Sequence, residues 1–218
     1  MHSPELVPLG DRAVLARFSD EHAAASWADA VRAGHWQGVT DVVLAYRSVA
    51  VFADPDQVEW PELESRLRAV TPDVERARQG KRVVIPVLYD GADLDEVPGR
   101  LNLSKEQVIT LHSSAVYDVF AIGFQPGYPY AGYLPPALAG LPRRDVPRLR
   151  VPAGSVAIAG RQTGIYPFES PAGWHLLGRT PLRIADPDEG HFPIRAGDTL
   201  QFVPISVSEF EVRHHERL

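Results

Sequence analysis

Cysteine is missing from the chain altogether. Its absence excludes disulfides, thiolate-held zinc, iron–sulfur clusters and a cysteine nucleophile, so any chemistry rests on oxygen and nitrogen groups. Lysine is nearly missing too, with only Lys81 and Lys105, and arginine supplies the other cationic side chains. The 28 Asp and Glu outnumber the 22 Lys and Arg, for a formal net charge of -6. A chain of that sign without a dominant basic stripe is a poor partner for a phosphate backbone or an anionic bilayer, so neither nucleic acid nor membrane is expected as a partner. No apolar run approaches the ~18 residues that span a bilayer. The opening MHSPELVPLG lacks the basic and then apolar segments of a secretory leader, so the expected location is the cytoplasm.

Several common motifs are lacking as well. Gly80-Lys81 would need Gly at 75 and Ser or Thr at 82 to make a phosphate-binding loop, and the chain has Glu75 and Arg82. Ser155 would need flanking glycines to be an elbow nucleophile, and Ala153 and Ala157 stand there. His214 and His215 are adjacent, and no His-Glu-x-x-His spacing occurs, so no dedicated metal site is expected.

What is present is ordinary globular composition, 44% hydrophobic and 23% charged over 218 residues, enough for two small domains each with a core. Val14, Ala16 and Phe18 alternate as in a strand. Ser19 or Asp20 then caps a helix bearing Ala24, Trp27 and Val31 on one face and ending at Gly34. VTDVVLAY and SVAVFA read as a hairpin. Trp60, Leu63, Leu67 and Val70 mark a second helix, and KRVVIPVLY reads as a further strand. The order β-α-β-β-α-β predicts a ferredoxin-like domain over residues 1–84. Beyond it, short apolar runs broken by Gly and Pro predict a β barrel or sandwich over 85–218, with one helix from Ser104 to about Ser113. Asn102-Leu103-Ser104 has glycosylation spacing, but Ser104 with Gln107 is also a capping box, and the cap is the reading adopted.

The residues with chemistry gather between His112 and Arg183. His112 sits in the last turn of its helix, either as a bonded helix-end histidine or as a proton carrier or phosphate contact. Arg143, Arg144, Arg148 and Arg150 crowd a proline-rich loop and read either as solvated charge or as forks for oxyanions. In VPAGSVAIAGRQTGIYP, Gln162 and Thr163 lie between Gly160 and Gly164 and read as polar tips at a barrel mouth. Tyr166 and Trp174 are either core aromatics or walls of a ligand cleft.

Two long stretches, GFQPGYPYAGYLP and PRRDVPRLRVPAGSVAIAGRQTGIYPFESPAGWHLLGRTPLRI, together resemble the family of 5-oxoprolinase B subunits. That family is also labelled allophanate hydrolase subunit 1, and it includes a sporulation histidine-kinase inhibitor and half of the urea carboxylase carboxyltransferase domain. LGDRAVLARF, AYRSVAVFAD, RVVIPVLYDGADLDEV and VITLHSSAVYDVFAIGF extend the resemblance over nearly the whole chain. The resemblance implies an α+β protein, a ferredoxin-like domain followed by a cyclophilin-like β barrel. It also implies ATP-dependent opening of 5-oxoproline to glutamate, with ATP and magnesium as co-substrate and no tightly bound cofactor. The implied partners are 5-oxoprolinase subunits C and A, without which the chain would be inactive. The alternatives it carries are a binding protein that inhibits a histidine kinase, and a carboxyltransferase subunit of the allophanate hydrolase or urea carboxylase kind. For the oxoprolinase reaction, His112 has the chemistry of a proton carrier, Arg144 and Arg148 of oxyanion clamps, and Gln162 and Thr163 of ligand hydrogen bonders. Tyr166 and Trp174 would complete a substrate or nucleotide site. Tyr128, Ala131, Arg161 and His175 stand where the family pattern leads one to expect other residues, and Arg161 would extend an anion site or charge the turn.

Overall fold

A computed structural model describes residues 4–71 and 80–218, which fall in two compact units, 1–79 and 80–218. The first unit runs β1 (Glu5–Leu9), β2 (Ala13–Arg17), α1 (Glu21–Ala33), β3 (Val39–Ala45), β4 (Ser48–Ala53) and α2 (Trp60–Ala69). Asp20 caps α1 by accepting the Ala23 N–H at 2.8 Å. Ala24, Trp27, Ala28 and Val31 repeat at three- and four-residue steps and form its buried face. The strands make one antiparallel sheet in the order β1-β2-β4-β3.

This sheet corrects the expected strand order. The run at 82–87, read as the fourth strand of the first domain, belongs to the second unit instead, and a boundary at 84/85 would cut through it. The outer place beside β2 is taken by β1, whose Pro8 makes ELVPL a weak strand signal. Proline has no N–H for a ladder, so a strand carrying it is stable at a sheet edge, and β1 lies at one.

The second unit runs β5 (Arg82–Val87), α3 (Val97–Leu101), α4 (Lys105–Ser114), β6 (Val116–Ile122), β7 (Pro129–Gly132), β8 (Arg148–Val151), β9 (Ser155–Ala159), β10 (Gln162–Ile165), β11 (Ser170–Ala172), β12 (His175–Arg179), β13 (Thr199–Pro204) and α5 (Val207–Val212). Seven strands form a sheet in the order β12-β9-β10-β7-β6-β13-β5, with β5 parallel to β13. Beyond β5, Leu88 exchanges two 2.9 Å backbone hydrogen bonds with Arg179 of β12. The two edges therefore meet, and the sheet is nearly closed into a barrel. Ile85, Val119, Val156, Ile158, Ile165, Leu177, Leu200 and Phe202 are buried in its core. Helix α4 lies where the sequence pattern places it, and its Ser104 and Gln107 make both bonds of the capping box. A separate two-stranded ribbon pairs β8 with β11.

Candidate functional site

Three groups of polar and aromatic side chains stand out in the barrel unit. The first is built on His112, which is fully buried. The Thr163 hydroxyl donates to the Ala157 carbonyl at 3.2 Å, so its lone pair is open to the His112 Nε2–H at 2.9 Å. His112 Nδ1 is then left to accept the Tyr89 hydroxyl at 2.7 Å. The imidazole stacks on Phe202 at 4.5 Å, and burial drives its pKa down to about 3, so the ring is neutral. Burial also raises the Tyr89 phenol well above its ordinary value, so it stays a donor. A proton carrier needs a path to substrate or solvent, and here both ring nitrogens are spent inside the core.

The second group turns on Asp93, which no sequence motif singles out. Only 1% exposed, its carboxylate accepts four hydrogen bonds. Arg148 Nη2 and Arg144 Nη1 reach Oδ1 at 2.7 and 2.6 Å, while Arg148 Nη1 and the Leu176 N–H reach Oδ2 at 2.9 and 2.7 Å. Burial pushes the Asp93 pKa up. The hydrogen bonds from Arg148 and Leu176, with the charges of Arg148 and Arg144, outweigh it and hold the carboxyl below its usual range. The arginine pair read as a clamp for phosphoryl oxygens thus already clamps an oxyanion, one belonging to the protein itself.

The third group is an aromatic recess of about 240 Å³. Tyr166 and Trp174, two of the expected site residues, line it with Phe124, Tyr128 and Tyr130. Tyr128 meets Tyr166 at 5.1 Å and Trp174 at 5.9 Å, both edge to face. Gly164 makes the recess possible, since a Cβ there would stand 2.5 Å from the Tyr128 hydroxyl. The Tyr128 and Tyr166 hydroxyls are hydrogen-bonded to each other. Burial raises both phenols, Tyr166 to about 12, so each keeps its proton.

The expected residues therefore divide. His112 and Thr163 come together, Arg144 and Arg148 come together around Asp93, and Tyr166 and Trp174 come together in the recess; the second and third groups are linked through the backbone, where the Arg144 N–H donates to the carbonyl of Gly173 in the recess wall at 2.7 Å. The Gln162 and Thr163 expectation needs correction. Gly160, at φ +59, and Arg161 form the turn, whereas Gln162 and Thr163 open β10. Thr163 is fully buried rather than a tip, while Gln162 is half-buried opposite Gly132. Arg161 lies 3.9 Å above the Tyr133 ring rather than extending an anion site. Sequence reasoning also passes over Phe124, Tyr128 and Tyr130 as ligand candidates; their signal is the aromatic density of GFQPGYPYAGY.

A wider cleft of about 940 Å³ runs past Asp90, Gly154, Arg179, Arg183 and His215. Its arginines are committed, Arg179 to Asp90 at 2.9 Å and Arg183 to Asp186 at 3.0 Å. Among the described residues, no three His, Asp or Glu side chains converge in a way that would hold a metal ion.

Comparison with known proteins gives these groups a family. Residues 4–193 match the model of the carboxyltransferase domain, subdomain C and D. The chain is 36% identical to the 5-oxoprolinase B subunit of Bacillus subtilis, over 97% of each chain. It is 38% identical to the B subunit of the same enzyme from Haemophilus influenzae, over 91% of this chain and 96% of the relative. The crystal structure of TTHA0988 superposes with a TM-score of 0.82 at 40% identity, covering 89% of this chain but only 40% of that longer one. Urea carboxylase of Kluyveromyces lactis, at 18% identity and a TM-score of 0.70 over 96% of this chain and 22% of its own, shares the fold. The match along nearly all of its length places this chain in the carboxyltransferase C and D family, among the relatives that include the 5-oxoprolinase B subunits.

Proposed function

We propose that this chain is the B subunit of a multi-subunit, ATP-dependent 5-oxoprolinase, opening 5-oxo-L-proline to L-glutamate with hydrolysis of ATP. The observation that carries the reading is the end-to-end alignment, 97% of both chains, with a B subunit of that enzyme. The partners in this reading are subunits C and A, and the chain alone is inactive. The larger TTHA0988 chain, of which this one matches 40%, supports a site completed by further polypeptide. The reading also takes the second unit as a cyclophilin-like barrel and the first as a relative of the ferredoxin-like sheet, with β1 in the place of the fourth strand. It sets the complex in the cytoplasm, where ATP is available.

The chemistry asks for a driving force. A five-membered lactam is a resonance-stabilised amide that re-forms readily, and phosphorylation of its oxygen both activates the carbonyl and couples ring opening to ATP. Magnesium would arrive with the nucleotide, because a phosphate-bound ion needs only one or two carboxylates and not a protein cage. This chain contributes binding and orientation. His112, Thr163 and Tyr89 fix α4 against β10, and Arg144 and Arg148 hold the 142–147 loop and the start of β8 through Asp93. Tyr166 and Trp174 offer a surface for a small ring, with Gln162 at a rim position. The test is reconstitution with subunits A and C, ATP, magnesium and 5-oxoproline, with glutamate and phosphate measured. Stoichiometric release of both is expected; no turnover, together with tight binding to a histidine kinase, would replace the proposal with the inhibitor reading.

A further inference from the structure

The loop before β8 carries two adjacent arginines with different fates. Arg144 is bound to Asp93, while Arg143 lines the aromatic recess and has no acidic partner among the described residues. The backbone on both sides of Arg143 is pinned. His175 Nε2 donates to the Pro142 carbonyl at 2.9 Å, and the Arg144 N–H donates to the Gly173 carbonyl at 2.7 Å. Since Gly173 and Trp174 are themselves part of the recess wall, these bonds fix the guanidinium's origin relative to the aromatic rings. His175 is fully buried, and its bond to Pro142 is one physical use for an imidazole in β12.

The mouth of the recess has a second unusual feature. Phe124 is 59% exposed and holds φ at +64, a left-handed conformation that a bulky residue adopts only when its surroundings force it. Its ring stands edge-on to Tyr128 at 5.5 Å and to Tyr166 at 6.3 Å. The backbone is held there by the Gln125 N–H on the Gly123 carbonyl at 2.7 Å and the Tyr128 N–H on the Gln125 carbonyl at 3.0 Å. An apolar ring is thus presented over an apolar cavity rather than folded away.

The recess has rings for walls, one cation without an acidic partner among the described residues, and a hydrogen-bonded pair of protonated phenols. At about 240 Å³ it lies below the roughly 300 Å³ at which drug-sized ligands begin to fit. Those properties select a small, flat, partly apolar ring carrying one anionic group and one neutral acceptor. We propose that this recess binds a five-membered ring carboxylate of the 5-oxoproline type, with the carboxylate on Arg143, the lactam oxygen toward the Tyr128–Tyr166 pair, and the ring between Trp174 and Phe124. The identity of the ring rests on the oxoprolinase reading; the ligand class rests on the recess itself.

Saturation-transfer NMR and calorimetry on the full chain test it with 5-oxoproline and with 2-pyrrolidinone, the same ring without the carboxylate. Saturation of the 5-oxoproline ring protons is expected, with pyrrolidinone at least about tenfold weaker, as loss of one charge-assisted contact implies. Arg143→Ala should weaken 5-oxoproline about tenfold or more and Arg143→Lys less, with unchanged melting temperature. Arg150→Ala, an exposed change in β8 just after that loop, at a residue whose partner is Glu169, should leave binding intact. In the assembled complex Arg143→Ala should raise KM for 5-oxoproline far more than it lowers kcat. Equal affinity for both probes, or Arg143→Ala with wild-type binding and KM, would overturn the site while leaving an active complex to support the oxoprolinase reading. Arg143-dependent binding to a complex that releases no glutamate would support the site and overturn the enzyme.

Discussion

His112 and Asp93 are both almost completely buried titratable groups in the same barrel unit, yet one is neutral and the other charged. The difference lies in their partners. His112 meets only neutral hydroxyls, those of Tyr89 and Thr163, so nothing offsets the cost of burying an imidazolium and the proton is excluded. Asp93 meets two guanidinium groups and an amide N–H, so four donors replace the lost water and the charge persists. Burial alone therefore does not set ionisation, and the two sites respond differently to mutation and to acid.

The largest effect that would break the contrast is removal of the Asp93 charge. Asp93→Ala leaves Arg144 and Arg148 facing one another without a counter-ion and strips Leu176 of its acceptor. A loss of roughly 3 kcal/mol is expected in urea unfolding, with Arg143 and Gly173 displaced because their loop is no longer held. Acid sharpens the comparison next. The unfolded His112 takes up a proton near its ordinary 6.5, while the folded one resists until about 3. The unfolded state thus binds the extra proton in that window, and stability falls as pH drops through it, by about 1.4 kcal/mol per pH unit. Asp93 works in the same direction but lower: its stabilisation is present above the unfolded carboxyl value of 3.8 and is lost as pH falls through its depressed folded value. Denaturant melts between pH 7 and 4 should show the histidine slope in the wild type and a flatter profile in His112→Gln. The smallest effect is Thr163→Val, which deletes the acceptor of the His112 Nε2–H and leaves a buried donor unpaired. It should cost roughly 1–2 kcal/mol and flatten none of the pH slope, since the imidazole stays buried.

Much of the molecule is legible in its local patterns. The face Ala24, Trp27, Val31 lies buried on α1, and Ser104 with Gln107 caps α4, because helix periodicity and capping act between residues a few positions apart. The run at 82–87 is legible as a strand but not as to its sheet. Its parallel pairing with β13, more than a hundred residues on, is non-local, and β1 fills the place beside β2. The candidate site divides in the same way. Tyr166 and Trp174 do line a recess, but Arg144 and Arg148 find Asp93 across a separation of 51 and 55 residues, which no local pattern announces.

The sequence by itself determined the chemistry available and the family. It holds no thiol and no phosphate loop, it concentrates aromatics between residues 120 and 175 and sets four arginines within residues 143–150, and its blocks run in the order of the 5-oxoprolinase relatives. Only the tertiary structure decided which arginine is spent and which remains. Arg143 and Arg144 are neighbours of the same type in the same proline-rich loop, and their sequence context barely distinguishes them. The barrel separates them physically: bonds to Pro142 and Gly173 orient the loop so that one guanidinium meets a buried carboxylate while the other is left beside a ring of aromatics.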